Sequence, residues 1–116
     1  MTIPTEGQLL RIFVGEADRW EGKPLYEAIV EAARRQGLAG ATVWKGFMGF
    51  GAHSRMHTAK ILRLSEDLPI VIEIVDAAEK IRAFLPTLDG MVTEGLVTLE
   101  RAEVLMYRAP GKAAHP

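Results

Sequence analysis

A glycine-rich stretch in the middle of the chain carries the residues best suited to bind a ligand: KGFMGFGAHSRMH, from Lys45 to His57. Glycine backbone N–H groups can approach an anion closely. Lys45 and Arg55 add positive charge, and Phe50 could cover a nucleotide base. No P-loop pattern is present, and a glycine-rich strand end packed into a subunit interface fits equally well. The stretch alone therefore leaves both interpretations open. Its three glycines are Gly46, Gly49 and Gly51.

The same stretch contains two of the three histidines of the chain. His53 and His57 are four residues apart, which places both on one face if the segment is helical, and imidazole pairs suit zinc or copper. A closed site needs more ligands, and no nearby carboxylate or thiolate supplies them. His53 and His57 are therefore weak metal candidates, and an exposed loop is the alternative.

Evidence for catalysis in the sequence is weak. The candidate carboxylates all have structural alternatives in turns, caps or solvated faces, and no serine has an arranged base. Glu73 is notable because it interrupts an apolar strand, where burial would raise the pKa of a carboxyl group. The alternative is that Glu73 faces solvent or pairs with a lysine. We therefore expect no catalytic residues. The carboxylates considered are Glu16, Asp18, Glu66, Asp67 and Glu73.

Composition indicates one ordinary globular domain. The chain has 116 residues, 48% of them hydrophobic and 25% charged, with a net charge of −1, so neither disorder nor nucleic-acid binding is indicated. It has no cysteine, which excludes disulfides, thiolate metal sites and thiol catalysis. No secretory signal or apolar run of about 20 residues is visible. We expect a cytoplasmic single domain over 1–116, with a core over about 8–108, a flexible tail over 109–116 and no membrane insertion.

Hydrophobic periodicity predicts the element order strand, helix, strand, strand, helix, strand. Asp76 and Glu79 have the spacing of a capping box at the start of the second helix, and Pro86 is expected to kink that helix or end its regular part. Gly37 is expected to end the first helix in a left-handed conformation. The predicted strands are 8–16, 39–47, the pair 59–64 and 69–75 with a bend or bulge between them at 65–68, which counts as one strand in this order, and 93–107, broken near Glu100–Arg101. The predicted helices are 24–37 and 76–90.

This order predicts an α+β fold, the ferredoxin-like βαββαβ sandwich, because right-handed crossovers place both helices on one face of an antiparallel sheet. The other face would be bare and would carry Phe13 and Trp44 together with several aliphatic residues. A monomer would expose too large an apolar patch, so we expect an oligomer.

Three runs, GKPLYEAIV, GATV…KG…GFG and LSEDLPIVIEIVD, give the chain a resemblance to a known family. From about Leu9 to Tyr107 it resembles the PII-like proteins of domain-of-unknown-function family 190. That family is similar in fold to the PII signal-transduction proteins, trimers that bind nucleotides in clefts between subunits. The resemblance implies a homotrimer that binds an anionic ligand, an adenine nucleotide, and regulates a partner protein. Relatives are linked with membrane ion transporters. A metal-binding or catalytic trimer is the alternative.

The resemblance also implies which residues line the cleft. Lys45 to Gly51 take the place of the glycine turn before the PII signalling loop and would form one wall. The opposite wall would come from the loop that enters the last strand and from one of two arginines at its end. Leu96 replaces a phosphate-contacting lysine and Met106 replaces the second arginine, so a nucleoside monophosphate fits better than a triphosphate. The implied ligand-binding residues are Lys45, Gly46, Gly49, Phe50, Gly51, Arg55, Glu94, Gly95 and Arg108.

Overall fold

The computed structural model describes residues 6–51, 57–58 and 67–110 of the chain. The helices are α1 (Leu25–Arg35) and α2 (Ala78–Asp89), and neither of these is long and apolar enough to cross a membrane, nor is any other helix among the described residues. The strands are β1 (Glu6–Gly15), β2 (Arg19–Trp20), β3 (Lys23–Pro24), β4 (Thr42–Lys45), β5 (Met48–Gly49), β6 (His57–Thr58), β7 (Pro69–Asp76) and β8 (Leu96–Glu103).

The main sheet has the strand order β4-β7-β1-β8, and all three neighbouring pairs are antiparallel. Two short pairs, β2 with β3 and β5 with β6, lie outside it. The main sheet has the ferredoxin-like order, which confirms the predicted fold class. The strand predicted over 59–64, and residues 111–116 of the predicted flexible tail, lie outside the described residues.

The core forms between one face of the sheet and the two helices. Alternate residues of β1 and β7 face the helices and are buried, as period-two alternation requires. Each helix contributes a stripe of buried apolar residues at helical spacing. Core residues from the sheet are Leu10, Ile12, Val14, Ile70, Ile72 and Ile74, and those from the helices include Leu25, Ala28, Ile29, Ala32, Ala33, Ile81, Phe84 and Leu88.

Helix α1 ends as predicted, whereas α2 begins differently. Gly37 has φ +80°, and the N–H of Leu38 bonds to the carbonyl of Ala33 at 3.1 Å, as in a Schellman cap. At α2 the expected capping box is wrong, because no side chain caps the helix. Asp76, 1% exposed, accepts bonds from the N–H of Ala77 at 2.7 Å and of Ala39 at 2.9 Å. It therefore ties the segment before β4 to the end of β7.

Neither of two predicted breaks ends its element among the described residues. Helix α2 continues through Pro86 to Asp89, because the proline lies in the last turn and removes only one helical hydrogen bond. Strand β8 runs unbroken from Leu96 to Glu103, since Glu100 and Arg101 both pair with β1.

Gly95 marks the entry to β8, and only glycine fits there. Its φ is +155°, and a Cβ atom would lie 2.6 Å from the carbonyl oxygen of Phe13. We predict that Gly95→Ala lowers the free energy of unfolding by about 1–3 kcal/mol, the cost of a strained backbone position. Gly40→Ala is the control, because among the described residues a Cβ at Gly40 meets nothing within 4 Å. Urea unfolding measures both, and equal stability of the two variants would contradict the prediction.

Candidate functional site

The face of the sheet opposite the helices carries a line of polar side chains. Arg11 of β1 donates from Nε to Glu73 Oε2 at 2.8 Å and from Nη1 to Glu100 Oε2 at 3.2 Å. Trp44 of β4 donates from Nε1 to Glu73 Oε1 at 3.0 Å. The side chains of Arg11 and Glu73 are each 29% exposed. The line therefore crosses all four strands, β4, β7, β1 and β8.

These contacts favour the ionised form of the Glu73 side chain. The hydrogen bond from Arg11, and then that from Trp44, hold the pKa of Glu73 below its ordinary value, against partial desolvation. The raised pKa considered for Glu73 is therefore wrong. In the alternative, the carboxylate does lie on the partly exposed helix-free face, but its charged partner is Arg11, the opposite residue in the antiparallel register, and not a lysine. An ionised carboxylate bonded on both oxygens is suited to orienting Trp44 rather than to accepting a proton in catalysis.

A groove of about 460 Å³ opens on this face at its β4 edge. The C-terminal segment closes one side of it, where Tyr107 Oη donates to the carbonyl of Ala39 at 3.3 Å. The walls are largely aliphatic, with three polar side chains: Thr42, Glu73 and Tyr107. Sequence reasoning missed this groove, because its residues come from four separate segments. They are Leu9, Ala39, Gly40, Ala41, Thr42, Glu73, Val75, Val104, Met106 and Tyr107.

The glycine-rich stretch begins at the far end of β4 and packs closely on Pro69. The N–H of Gly46 bonds to the carbonyl of Pro69 at 2.7 Å, and a Cβ at Gly46 would lie 2.9 Å from Pro69 Cγ. A Cβ at Gly49 would lie 3.1 Å from the same atom. Close packing thus accounts for these two glycines, and the Gly46 N–H is already used. At Gly51, by contrast, a Cβ would meet no atom of the described residues within 4 Å.

Lys45, the described lysine at this end of β4, is paired with a carboxylate. Lys45 Nζ lies 2.7 Å from Glu16 Oε2, so the lysine proposed to bind an anion already contacts a carboxylate. Phe50 is exposed. Arg55, the second cation predicted in this stretch, lies outside the described residues.

The remaining candidate residues are spread over the protomer. Glu94 and Gly95 precede β8, at the edge of the sheet opposite β4. Arg108 is exposed and follows Tyr107, so it is next in sequence to a groove residue. Within one chain, Lys45 therefore lies at one end of β4 and the segment that contains Arg108 lies beside the other end of β4. Glu94 and Gly95 lie near neither end, because β8 is at the opposite edge of the sheet.

The metal candidates lie at the margin of the described structure. His57 belongs to β6 and pairs with Gly49, so the argument from a shared helical face does not apply there. His53 lies outside the described residues. Among the residues that the structure describes, no three His, Asp or Glu side chains form a group that could hold a metal ion.

A family model, DUF190 ("Uncharacterized ACR"), matches residues 7–104. The chain belongs to the DUF190 family. It is 43% identical over 98 residues to a UPF0166 protein of Aquifex aeolicus, a match that covers 84% of this chain and 92% of the relative. It is 36% identical over 100 residues to a UPF0166 protein of Methanocaldococcus jannaschii, covering 85% and 92%.

Solved structures agree on the fold. CPII, a nitrogen regulatory PII-like protein from Thiomonas intermedia K12 bound to ADP, AMP and bicarbonate, matches with a TM-score of 0.59 and 20% identity, over 85% of this chain and 88% of CPII. A DUF3240 family protein from Shewanella baltica OS155 matches with a TM-score of 0.55 and 16% identity, over 92% and 98%. The DUF190 chain therefore has the PII-like form of the ferredoxin-like fold.

The lowered pKa of Glu73 predicts a pH-dependent stability. A carboxyl group whose pKa is lower in the folded state stabilises it above the unfolded pKa, and this contribution is lost as pH falls through the folded pKa. Glu73→Gln should therefore lower the melting temperature at neutral pH, and its difference from the wild type should shrink towards about pH 3.

The control for this pH series is Glu21→Gln, which removes the same charge from an exposed loop position. Melting curves of the three proteins across the acidic range measure the effect. A wild-type advantage over Glu73→Gln that stayed constant with pH, or that matched the advantage over Glu21→Gln, would contradict the assignment.

Proposed function

We propose that this DUF190 protein is a PII-like regulatory protein, not an enzyme, and that it binds an adenine nucleotide. The base occupies the groove on the helix-free face, and the phosphate extends towards Arg108. The observation that carries the proposal is the groove itself: it has the volume of a small-molecule site, and the segment that closes it leads directly to Arg108.

The lining of the groove suits a purine base. Leu9, Val75 and Val104 offer aliphatic walls for the faces of the ring, and a few placed polar groups are typical of ligand sites. Glu73 keeps acceptor capacity, because each carboxylate oxygen can accept more than one hydrogen bond. An exocyclic amine, such as that of adenine, is the matching donor.

The charges near the groove suit a ligand with few phosphates. Arg108 is adjacent to Tyr107, which lines the groove. Lys45 lies at the far end of β4, opposite the core residue Ile70, and is paired with Glu16. Charge-assisted bonds from such side chains are the stronger kind. The structures of CPII with ADP and AMP support a nucleotide with one or two phosphates.

Exposed apolar surface supports an assembly. Leu105 is 85% exposed and Met106 is 65% exposed, and Trp44 and Leu96 are exposed on the helix-free face. A monomer would leave this patch in water. We propose a cytoplasmic homotrimer in which Glu94 and Gly95 of a neighbouring copy complete the site. The ligand-bound state would then be signalled to a regulated partner protein, and a membrane transporter is one candidate.

We predict that two variants weaken adenine nucleotide binding for separate reasons. Arg108→Ala removes a charged hydrogen bond and should cost about 1.5–3 kcal/mol of binding free energy. Gly40→Leu narrows the groove, but a Cβ at this position meets no atom within 4 Å in the part of the chain that the structure describes, so the fold should persist. Calorimetry of each variant and the wild type against AMP, ADP, ATP and cyclic AMP measures the effect.

The matched control for Arg108→Ala is Arg82→Ala, which removes an exposed arginine from α2 and should leave binding unchanged. If none of the four nucleotides binds the wild type below millimolar concentration, the nucleotide proposal is wrong. If binding occurs but Gly40→Leu leaves it intact, the base does not occupy this groove.

The assembly has its own test. We expect multi-angle light scattering at micromolar concentration to give about three times the 12.8 kDa mass of the chain, because burial of the exposed apolar patch favours association. A mass equal to that of one chain would contradict the trimer.

A further inference from the structure

We infer that Tyr107 is a positioning residue, whose hydroxyl holds Arg108 beside the groove so that the arginine meets the phosphate of the ligand. The inference rests on the proposed function and adds the residue that places the charge. It starts from the hydrogen bond that Tyr107 Oη donates to the carbonyl of Ala39 at 3.3 Å.

The segment that contains Tyr107, residues 104–110, crosses from one edge of the sheet to the other. It leaves β8 at one edge, and its first residue lies against β1, where a Cβ at Gly7 would be 3.2 Å from Val104 Cγ2. Tyr107 then contacts Ala39, which precedes β4 at the opposite edge. The segment therefore spans the end of the sheet and forms one wall of the groove.

Beyond the end of β8, this segment has few anchors. It forms no regular helix or strand, and Leu105 and Met106 are largely exposed. Among the residues that the structure describes, and apart from the ladder of β8, the bond from the Tyr107 hydroxyl is the only hydrogen bond that ties residues 104–110 to the rest of the chain. Loss of this hydroxyl should therefore free the segment while the core stays folded.

The acceptor of this bond is held from its other side. The N–H of Ala39 donates to Asp76 Oδ2 at 2.9 Å, and Asp76 is buried at the end of the central strand β7. The carbonyl that receives the Tyr107 hydroxyl is therefore tied to the core. The bond consequently restrains the C-terminal segment rather than the residues before β4.

Arg108 carries the positive charge of this segment. It is exposed, and it forms no ion pair or hydrogen bond with the described part of the chain, whereas Arg11 and Arg101 both contact carboxylates. Its guanidinium is therefore available for a charge-assisted bond to a phosphate. Fixing a flexible arginine on binding costs conformational entropy, and a backbone that is restrained before the ligand arrives lowers that cost.

The consequence is specific to the phosphate. In the proposed site the adenosine part of a nucleotide contacts the groove walls, and Tyr107→Phe keeps the aromatic ring in the wall that Tyr107 lines. The phosphate depends on Arg108, whose backbone would no longer be restrained. Loss of the hydroxyl should therefore weaken AMP binding and leave adenosine binding nearly unchanged.

Calorimetry with AMP and with adenosine tests this difference. Tyr107→Phe should weaken AMP binding about fivefold and adenosine binding by less than about twofold, since one ordinary hydrogen bond is lost. The matched control is Tyr26→Phe, which removes the same hydroxyl from α1 and should alter neither affinity. Melting temperatures of both variants verify that each is folded.

Arg108→Ala provides a second measurement. It should weaken AMP binding more than Tyr107→Phe does, and adding Tyr107→Phe to it should cost nothing further, because the hydroxyl acts through the arginine. A double-mutant cycle detects this lack of additivity. The cycle uses AMP alone, so it decides the role of Tyr107 even if adenosine binds too weakly to measure.

The outcomes separate the two proposals. If the wild type binds neither AMP nor adenosine, the proposed function itself fails. If the wild type binds both and Tyr107→Phe weakens them equally, the hydroxyl only shapes the groove and its positioning role is overturned. An AMP affinity of Tyr107→Phe equal to that of the wild type, or additive effects of Tyr107→Phe and Arg108→Ala, would overturn that role as well.

Discussion

The register between the two central strands is the constraint on which the rest of the structure depends. Leu10 and Ile12 of β1 lie opposite Ile74 and Ile72 of β7, and the alternate pair, Arg11 with Glu73, lies on the other face. A slip of one residue would move an arginine and a glutamate into the core. The alternation of these strands therefore fixes the buried layer and the helix-free face together.

The shape of the groove depends on that register and on the buried carboxylate of Asp76. Pairing places Leu9 beside Val75, which gives the floor of the groove. Its rim depends on Asp76, whose carboxylate accepts a hydrogen bond from the N–H of Ala39. The carbonyl of Ala39 in turn accepts a hydrogen bond from Tyr107 Oη. A chain of two hydrogen bonds thus connects the end of β7 to the C-terminal segment. The groove is consequently a product of tertiary contacts, and no single segment encodes it.

The local pattern of apolar residues and glycines was enough to predict the fold, but it was not enough to predict the contacts at the candidate site. The alternation in β1, the stripe of α1 and Gly37 each carry their information within a few residues, so the sequence predicted them correctly. The partner of Glu73 is 62 residues away along the chain, and that of the Gly46 N–H is Pro69. Periodicity does not specify such partners, and this is why the sequence suggested a raised pKa at Glu73 and a free donor at Gly46.

The likeness to CPII at 20% identity shows how little of the chemistry the fold itself determines. Strand order requires only apolar alternation and a few glycines, such as Gly95, whose lack of a side chain lets β8 approach β1. Charge at the ends of the strands is not constrained in this way. Leu96 and Met106 are apolar, and Lys45 is paired with Glu16. Residues at these exposed positions can change without disturbing the core, so the fold alone does not determine the charge of this surface.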